Sequence, residues 1–253
     1  MDGLVRAGRI LFAIAIVVFG VEFLFYALSM SGPLPDAPWS RGSIGVAWLV
    51  CAGFFATGLL IASGWMGRWA SLLLGTAVLL FGLVHYGPIL MRHLHNPGPW
   101  TVLFELLAIA GGAFVIAASF PAPPVGGAAR GLADVGRYLI ALSLVVFAVQ
   151  HFMYSEFVAK LIPAWIPARL FWAYFTGAAF VAAALSIATR KSIRLAGILL
   201  GTMFFLWVVL LHIPRVAGSL KNGDEMTSLF VALAMSGISF ALAGEFESKG
   251  RRT

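Results

Sequence analysis

The sequence predicts an all-α, polytopic membrane protein: eight transmembrane helices arranged as two four-helix units that repeat in parallel. Three observations carry this. Of 253 residues, 61% are hydrophobic and only 11% charged, against about a quarter charged in a soluble domain. A compact soluble domain would still need a wettable surface, so the solvent is lipid. Eight apolar stretches approach the roughly 20 residues a helix needs to cross hydrocarbon. The second half of the chain also repeats the first in order.

The first span, residues 10–30, follows Arg6 and Arg9 and carries small residues at Ala27 and Ser29, the outline of a signal peptide. Its apolar stretch exceeds the usual h-region of about 7–15 residues, and it has a counterpart in mid-chain, so it is read as a helix. Spans 44–65, 69–89 and 100–120 complete the first unit; 136–154, 170–188, 193–213 and 227–243 form the second. Polar or Pro/Gly-containing breaks separate them. Transmembrane strands would alternate apolar and polar residues over about ten positions, whereas these runs are apolar all round. A net charge of +7 would suggest nucleic acid in a soluble protein. Here the basic residues stand between apolar runs, so the expected partner is the bilayer and no nucleic acid. Eleven Lys and Arg fall on one side of the spans and six on the other, which puts both termini in the cytoplasm of a multi-pass cell-membrane protein. Cys51 is alone in the chain; it makes no internal disulfide or CxxC pair and reads as an inert buried thiol.

The repeat is legible residue by residue. Gly8-Arg9-Ile10-Leu11 matches Gly136-Arg137-Tyr138-Leu139, and at the same offset Phe19, Glu22 and Tyr26 meet Phe147, Gln150 and Tyr154. Further on the offset falls by two: Leu74-Gly75-Thr76 meets Leu200-Gly201-Thr202, Pro88 meets Pro214, and Asn96, Thr101, Gly111 and Phe114 meet Asn222, Thr227, Gly237 and Phe240. Four spans per unit keep both copies the same way up, related by an axis along the membrane normal. The units are 1–120 and 136–253, joined by a Pro- and Gly-containing cytoplasmic linker over 121–135.

Ionisable groups inside spans are costly and mark interiors or cavities. The candidate ligand-binding set is Glu22, Tyr26, His85, Glu105, Gln150, His151, Tyr154 and His212, all expected in the outer half of the bundle. Phe19, Glu22 and Tyr26 share one helix face, as do Phe147, Gln150 and Tyr154. Glu22 could pass a proton or hydrogen bond to a bound carbonyl; equally, it and Gln150 could simply tie helices together. The histidines could pair with Tyr, Glu or headgroups. Metal or haem ligation would need several to converge, no span carries HxxxH or ExxH, and no metal site is assigned. His93-Leu94-His95 reads as an interfacial pair. The segment 158–167, apolar, Pro-punctuated and holding Trp165, reads as interfacial or re-entrant, with Pro35-Asp36-Ala37-Pro38-Trp39 at the corresponding place. These two segments could roof the polar site.

The stretches Phe147-Ala148-Val149-Gln150-His151-Phe152, Pro163-Ala164-Trp165-Ile166-Pro167 and Leu170-Phe171-Trp172-Ala173-Tyr174-Phe175-Thr176-Gly177-Ala178 resemble the DoxX-like family of small four-helix membrane proteins, and Asn96-Pro97-Gly98-Pro99-Trp100-Thr101 with Phe104-Glu105-Leu106 resembles that family's last-helix entry. The family is named for a subunit of a thiosulfate:quinone oxidoreductase. The resemblance implies a place beside the quinone pool, with a quinone as cofactor and a redox complex as partner, and a doubled unit in place of a dimer. It carries over no catalytic residue. Two other classes stay open: a non-catalytic assembly or anchoring protein, and a small-molecule or proton-coupled transporter. The parallel repeat and the lack of polar groups in the inner half weigh against transport.

Overall fold

The computed structural model describes residues 3–29, 44–121, 127–219 and 223–250. Among them every regular element is helical, as spans in lipid require, since each must satisfy its own backbone hydrogen bonds. The helices are α1 (Gly3–Ser29), α2 (Ile44–Ser63), α3 (Gly67–Phe81), α4 (Gly87–Arg92), α5 (Pro97–Ala118), α6 (Gly127–Met153), α7 (Ser155–Leu161), α8 (Arg169–Thr189), α9 (Ile193–Trp207), α10 (Ile213–Gly218) and α11 (Gly223–Gly250). Two π-helical turns, Gly82–Tyr86 and Val208–His212, join α3 to α4 and α9 to α10. Among the described residues seven helices are long and apolar enough to cross a bilayer, and Trp48–Ser63 of α2 is a shorter apolar helix. The chain is a multi-pass membrane protein.

Several helices run past the ends the sequence reading gave them, α1 from Gly3 and α11 over Gly223–Gly250 among them, and two stretches change character. Gly127–Val135, expected in the linker, belongs to α6; its Gly-Ala-Ala-Arg-Gly-Leu-Ala-Asp-Val sequence holds good helix formers but lacks the apolar density that marks a span. The segment after α6 forms a short helix, α7, before an irregular Pro-containing stretch. The Pro35–Trp39 stretch, Asn222 and the side chain of Tyr26 lie outside the described residues.

The π turns have a local cause. The N–H of Gly87 reaches five residues back to the Gly82 carbonyl, and that of Ile213 to Val208. The next residue in each case is proline, which has no N–H to give and whose ring crowds the carbonyl four residues back. The wider turn absorbs that mismatch without ending the helix.

Two helices are central. In the 18-residue apolar stretch of Pro97–Ala118 72% of the residues are buried and in that of Gly223–Gly244 67%, while in the other spans the share is 22% to 50%. α5 packs on α3, α6 and α11; α11 packs on α1, α9 and α5; α2 lies on α1, and α8 on α6. Small residues let the backbones approach. A Cβ on Gly136 would stand 2.3 Å from the Gly111 carbonyl oxygen, and one on Gly8 2.5 Å from that of Gly237. Gly75 lies under the Phe114 ring and Gly201 under that of Phe240, each too close for a Cβ. At the α5–α11 contact a Cβ on Gly112 would fall 2.2 Å from Cγ1 of Ile238.

At the opposite end from the histidines, two arginines counted for topology are buried instead. Arg9 donates from Nε to Ser119 Oγ at 3.0 Å and from Nη2 to the Ser119 carbonyl, with its guanidinium 3.6 Å from the Phe120 ring centroid. Arg137 donates from Nη1 to the Ile187 carbonyl at 2.7 Å. Each satisfies carbonyls at a helix C-terminus, where a cation is favoured.

Candidate functional site

α8 and α9 diverge, and between them runs a groove of about 800 Å³. Small side chains make the gap: Ala179, Ala182 and Ala183 on α8 face Ala196 and leucines of α9. Leu195 and Arg215 both line it, so it follows about 30 Å of helix, close to the thickness of the hydrocarbon core. Its walls are almost wholly apolar. The ionisable groups that line it are His151, His212 and Arg215, all at one end, beside Trp172, Trp207 and Thr176. At the other end stand Ser186, whose hydroxyl is engaged by the Lys191 carbonyl, and Ser192.

His151 sits in an aromatic frame. Its ring stacks on Trp207 with centroids 6.3 Å apart and meets Phe180 edge-on at 5.1 Å. Nδ1–H donates to the Phe147 carbonyl at 2.8 Å, which leaves Nε2 as the acceptor of the neutral ring. His212 ends the second π turn, and its Nδ1 is buried with no partner among the described residues. Arg215, one turn on, pairs with Glu225 of α11. Val158 and Leu161 of α7, with Ile162 and Ile166, line the same end of the groove. Trp172 Nε1 donates to the Pro167 carbonyl at 3.1 Å and ties that segment to α8.

The remaining candidates lie elsewhere. Gln150 and Tyr154 line a smaller cavity of about 310 Å³ with Trp100 and Leu94. There Gln150 Nε2 donates to the Pro97 carbonyl at 3.1 Å and to Thr101 Oγ1 at 3.0 Å. Glu22 occupies the seam between α1 and α11, where Thr227 Oγ1 donates to its Oε2 at 3.1 Å and Oε1 is buried without a partner among the described residues. Glu105 is half-buried on α5, one turn beyond Thr101. His85 is half-buried, stacked on Phe81 at 5.3 Å and edge-on to Tyr86 at 5.0 Å. His93 and His95 are exposed. The structure therefore brings His151 and His212 together, separately groups Gln150 with Tyr154, and sets Glu22 on its own seam.

Sequence reasoning did not single out Arg215, Thr176 or Trp207. Arg215 was legible only as a loop charge. The alanine run 182–184 on α8 was the available signal for a gap, but alanines in a membrane helix as often mark close packing.

Comparison with known proteins adds one finding: a family model for a domain of unknown function (DUF8561) matches residues 140–242. That stretch contains all the groove residues named above. No curated protein and no solved structure matches the chain.

Proposed function

We propose that the chain binds a lipid-soluble, long-tailed ligand of the quinone class in the α8–α9 groove, as a membrane subunit associated with redox chemistry. The observation that carries this is the shape and polarity of the groove. Its volume falls within the roughly 300–1,000 Å³ of small-molecule sites, it is long and apolar, and its ionisable groups are gathered at one end. An isoprenoid tail suits the apolar length. Arg215 and a protonated ring nitrogen of His212 donate to a quinone carbonyl, while Nε2 of His151 accepts from a quinol hydroxyl. The site thus offers partners to both redox forms. The resemblance to DoxX-like proteins points the same way, toward the quinone pool.

The test is lipid extraction and mass spectrometry of protein purified in mild detergent. About one quinone per chain is expected, falling roughly tenfold in the double variant His212→Leu, Arg215→Leu, as loss of two polar contacts implies. Phospholipid alone in the extract, or quinone unchanged in the variant, would overturn the assignment.

The finer architecture belongs to the same proposal. α2 is taken as an eighth crossing, and the two halves as parallel copies about an axis along the membrane normal. Matched contacts support this: Gly136 on Gly111 and Gly8 on Gly237, Gly75 under Phe114 and Gly201 under Phe240, Gln150 with Thr101 and Glu22 with Thr227. Gly112 and Ile238, counterparts of each other in the repeat, touch directly, as only residues near a two-fold axis do. Charge bias along the chain puts both termini in the cytoplasm of the cell membrane. In a Cys51→Ala background, a cysteine replacing Arg190 should stay unlabelled by an impermeant thiol reagent applied outside and one replacing Lys221 should react. The reverse pattern would invert the orientation.

A further inference from the structure

We propose that Glu22 is a proton-binding site, a carboxylic acid that carries its proton on the seam between α1 and α11 and shares it with the first-turn backbone of α11. The argument compares two seams built alike. On one, α6 offers Gln150 to Thr101 of α5; on the other, α1 offers Glu22 to Thr227 of α11. Gln150 uses its amide N–H groups twice, toward Thr101 Oγ1 and toward the carbonyl of Pro97, the first residue of α5. Pro97 precedes Thr101 by four residues, just as Gly223, the first residue of α11, precedes Thr227. The carboxyl of Glu22 therefore stands where its partner seam needs a donor.

A carboxylate has none to give, since an ionised acid only accepts; protonated, it gains one O–H. In the structure Oε2 takes the Thr227 hydroxyl and Oε1 is left buried without a partner among the described residues. One proton on Oε1 makes Glu22 the hydrogen-bonding equivalent of Gln150. No backbone N–H of the described first turn of α11 reaches Oε1.

Among the described residues no basic group supplies Glu22 with a counter-ion. The helices packed on α1 here are α2 and α11. Among the described residues, their titratable groups at this end are Cys51 on α2 and Asp224 and Glu225 on α11. Glu225 is engaged by Arg215 of α10 and lies roughly 200° around α11 from Thr227, on the groove side. No Lys, Arg or His of α1, α2 or α11 stands at this end among the described residues. Glu22 is the ionisable member of an otherwise matched pair of seams. A group that can release its proton there is a station for proton uptake inside the bundle, independent of what the groove binds.

Infrared difference spectroscopy of the full-length protein in nanodiscs reads the acid directly. A carboxylic C=O stretch is expected at neutral pH, lost in Glu22→Gln and retained in Glu105→Gln, while Glu22→Gln keeps the wild-type melting temperature. Modification by a hydrophobic carbodiimide, which takes up the proton of a carboxylic acid and is then attacked at its central carbon by the carboxylate oxygen, provides a readout in the wild-type protein. Glu22 should react about tenfold faster than exposed Asp224. A band unchanged in Glu22→Gln, or equal reactivity of Glu22 and Asp224, would overturn the proposal. So would sodium-dependent melting that disappears in Glu22→Gln, which would make the seam a cation site.

Discussion

Glycine decides how closely the helices of the two halves can approach. At Gly136 and Gly111 the neighbouring backbone occupies the space a side chain would take, as it does at Gly8 and Gly237. Nothing lies within 4 Å of where a Cβ would stand on Gly53, an exposed position of α2. Identical Gly→Ala changes should therefore have opposite outcomes. Gly136→Ala and Gly237→Ala force backbones apart, a cost of about 1–3 kcal/mol for overpacking, and should lower the melting temperature in detergent. Gly53→Ala removes backbone freedom without a clash and should leave it unchanged or slightly higher. Equal effects at all three positions would show that the close approaches are not where stability is set. These glycines were visible in the sequence as matched positions. Nothing in the pattern distinguished them from Gly53, because close approach is a property of two helices and periodicity describes one.

Elements were legible to the extent that they follow from composition. Long apolar runs become helices in lipid because no other open structure satisfies the backbone, so α3 and α9 were each expected within a span, ending at Ile89 and Ile213, while the residues of α4 and α10 beyond those points fell in the expected breaks. That each span contains a π turn was not expected, although Pro88 and Pro214 were on view. A proline in an apolar run reads equally as a stop, a kink or a bulge, and the outcome depends on whether the chain beyond it is still packed. Here Leu90 and Val216 beyond the prolines are both buried, which holds the helix on course. The groove was hidden for a similar reason. His151 and His212 were picked out as costly residues in lipid, but they are 61 positions apart, and their convergence depends on a gap between α8 and α9. Glu22 and Gln150 were picked out by the same cost, and their partners Thr227 and Thr101 were in the matched list. What the sequence withheld was that each binds across to the other half, instead of both facing one shared cavity.

At the scale of the whole molecule the α5–α11 contact makes the sharpest demand on the duplicated architecture. Residues 112 and 238 are counterparts, yet one is Gly and the other Ile, and the Ile238 side chain fills the place where a Cβ on Gly112 would be. If a two-fold axis passes beside this contact, knob and hole are interchangeable: the geometry seen from 112 toward 238 equals that from 238 toward 112. Gly112→Ile alone should overpack the contact, costing about 1–3 kcal/mol or more. Ile238→Gly alone should leave a cavity, in the range of about 2–5 kcal/mol for large-to-small core changes, with a helix-propensity loss of about 1 kcal/mol in addition. The double variant restores one knob and one hole on opposite sides of the axis. Its melting temperature in detergent should lie above that of either single variant, with a favourable coupling of about 1–3 kcal/mol. An additive or worse double variant would mean that the contact has no exchangeable sides, and that the halves, however similar their seams, are not related by a two-fold axis at their centre.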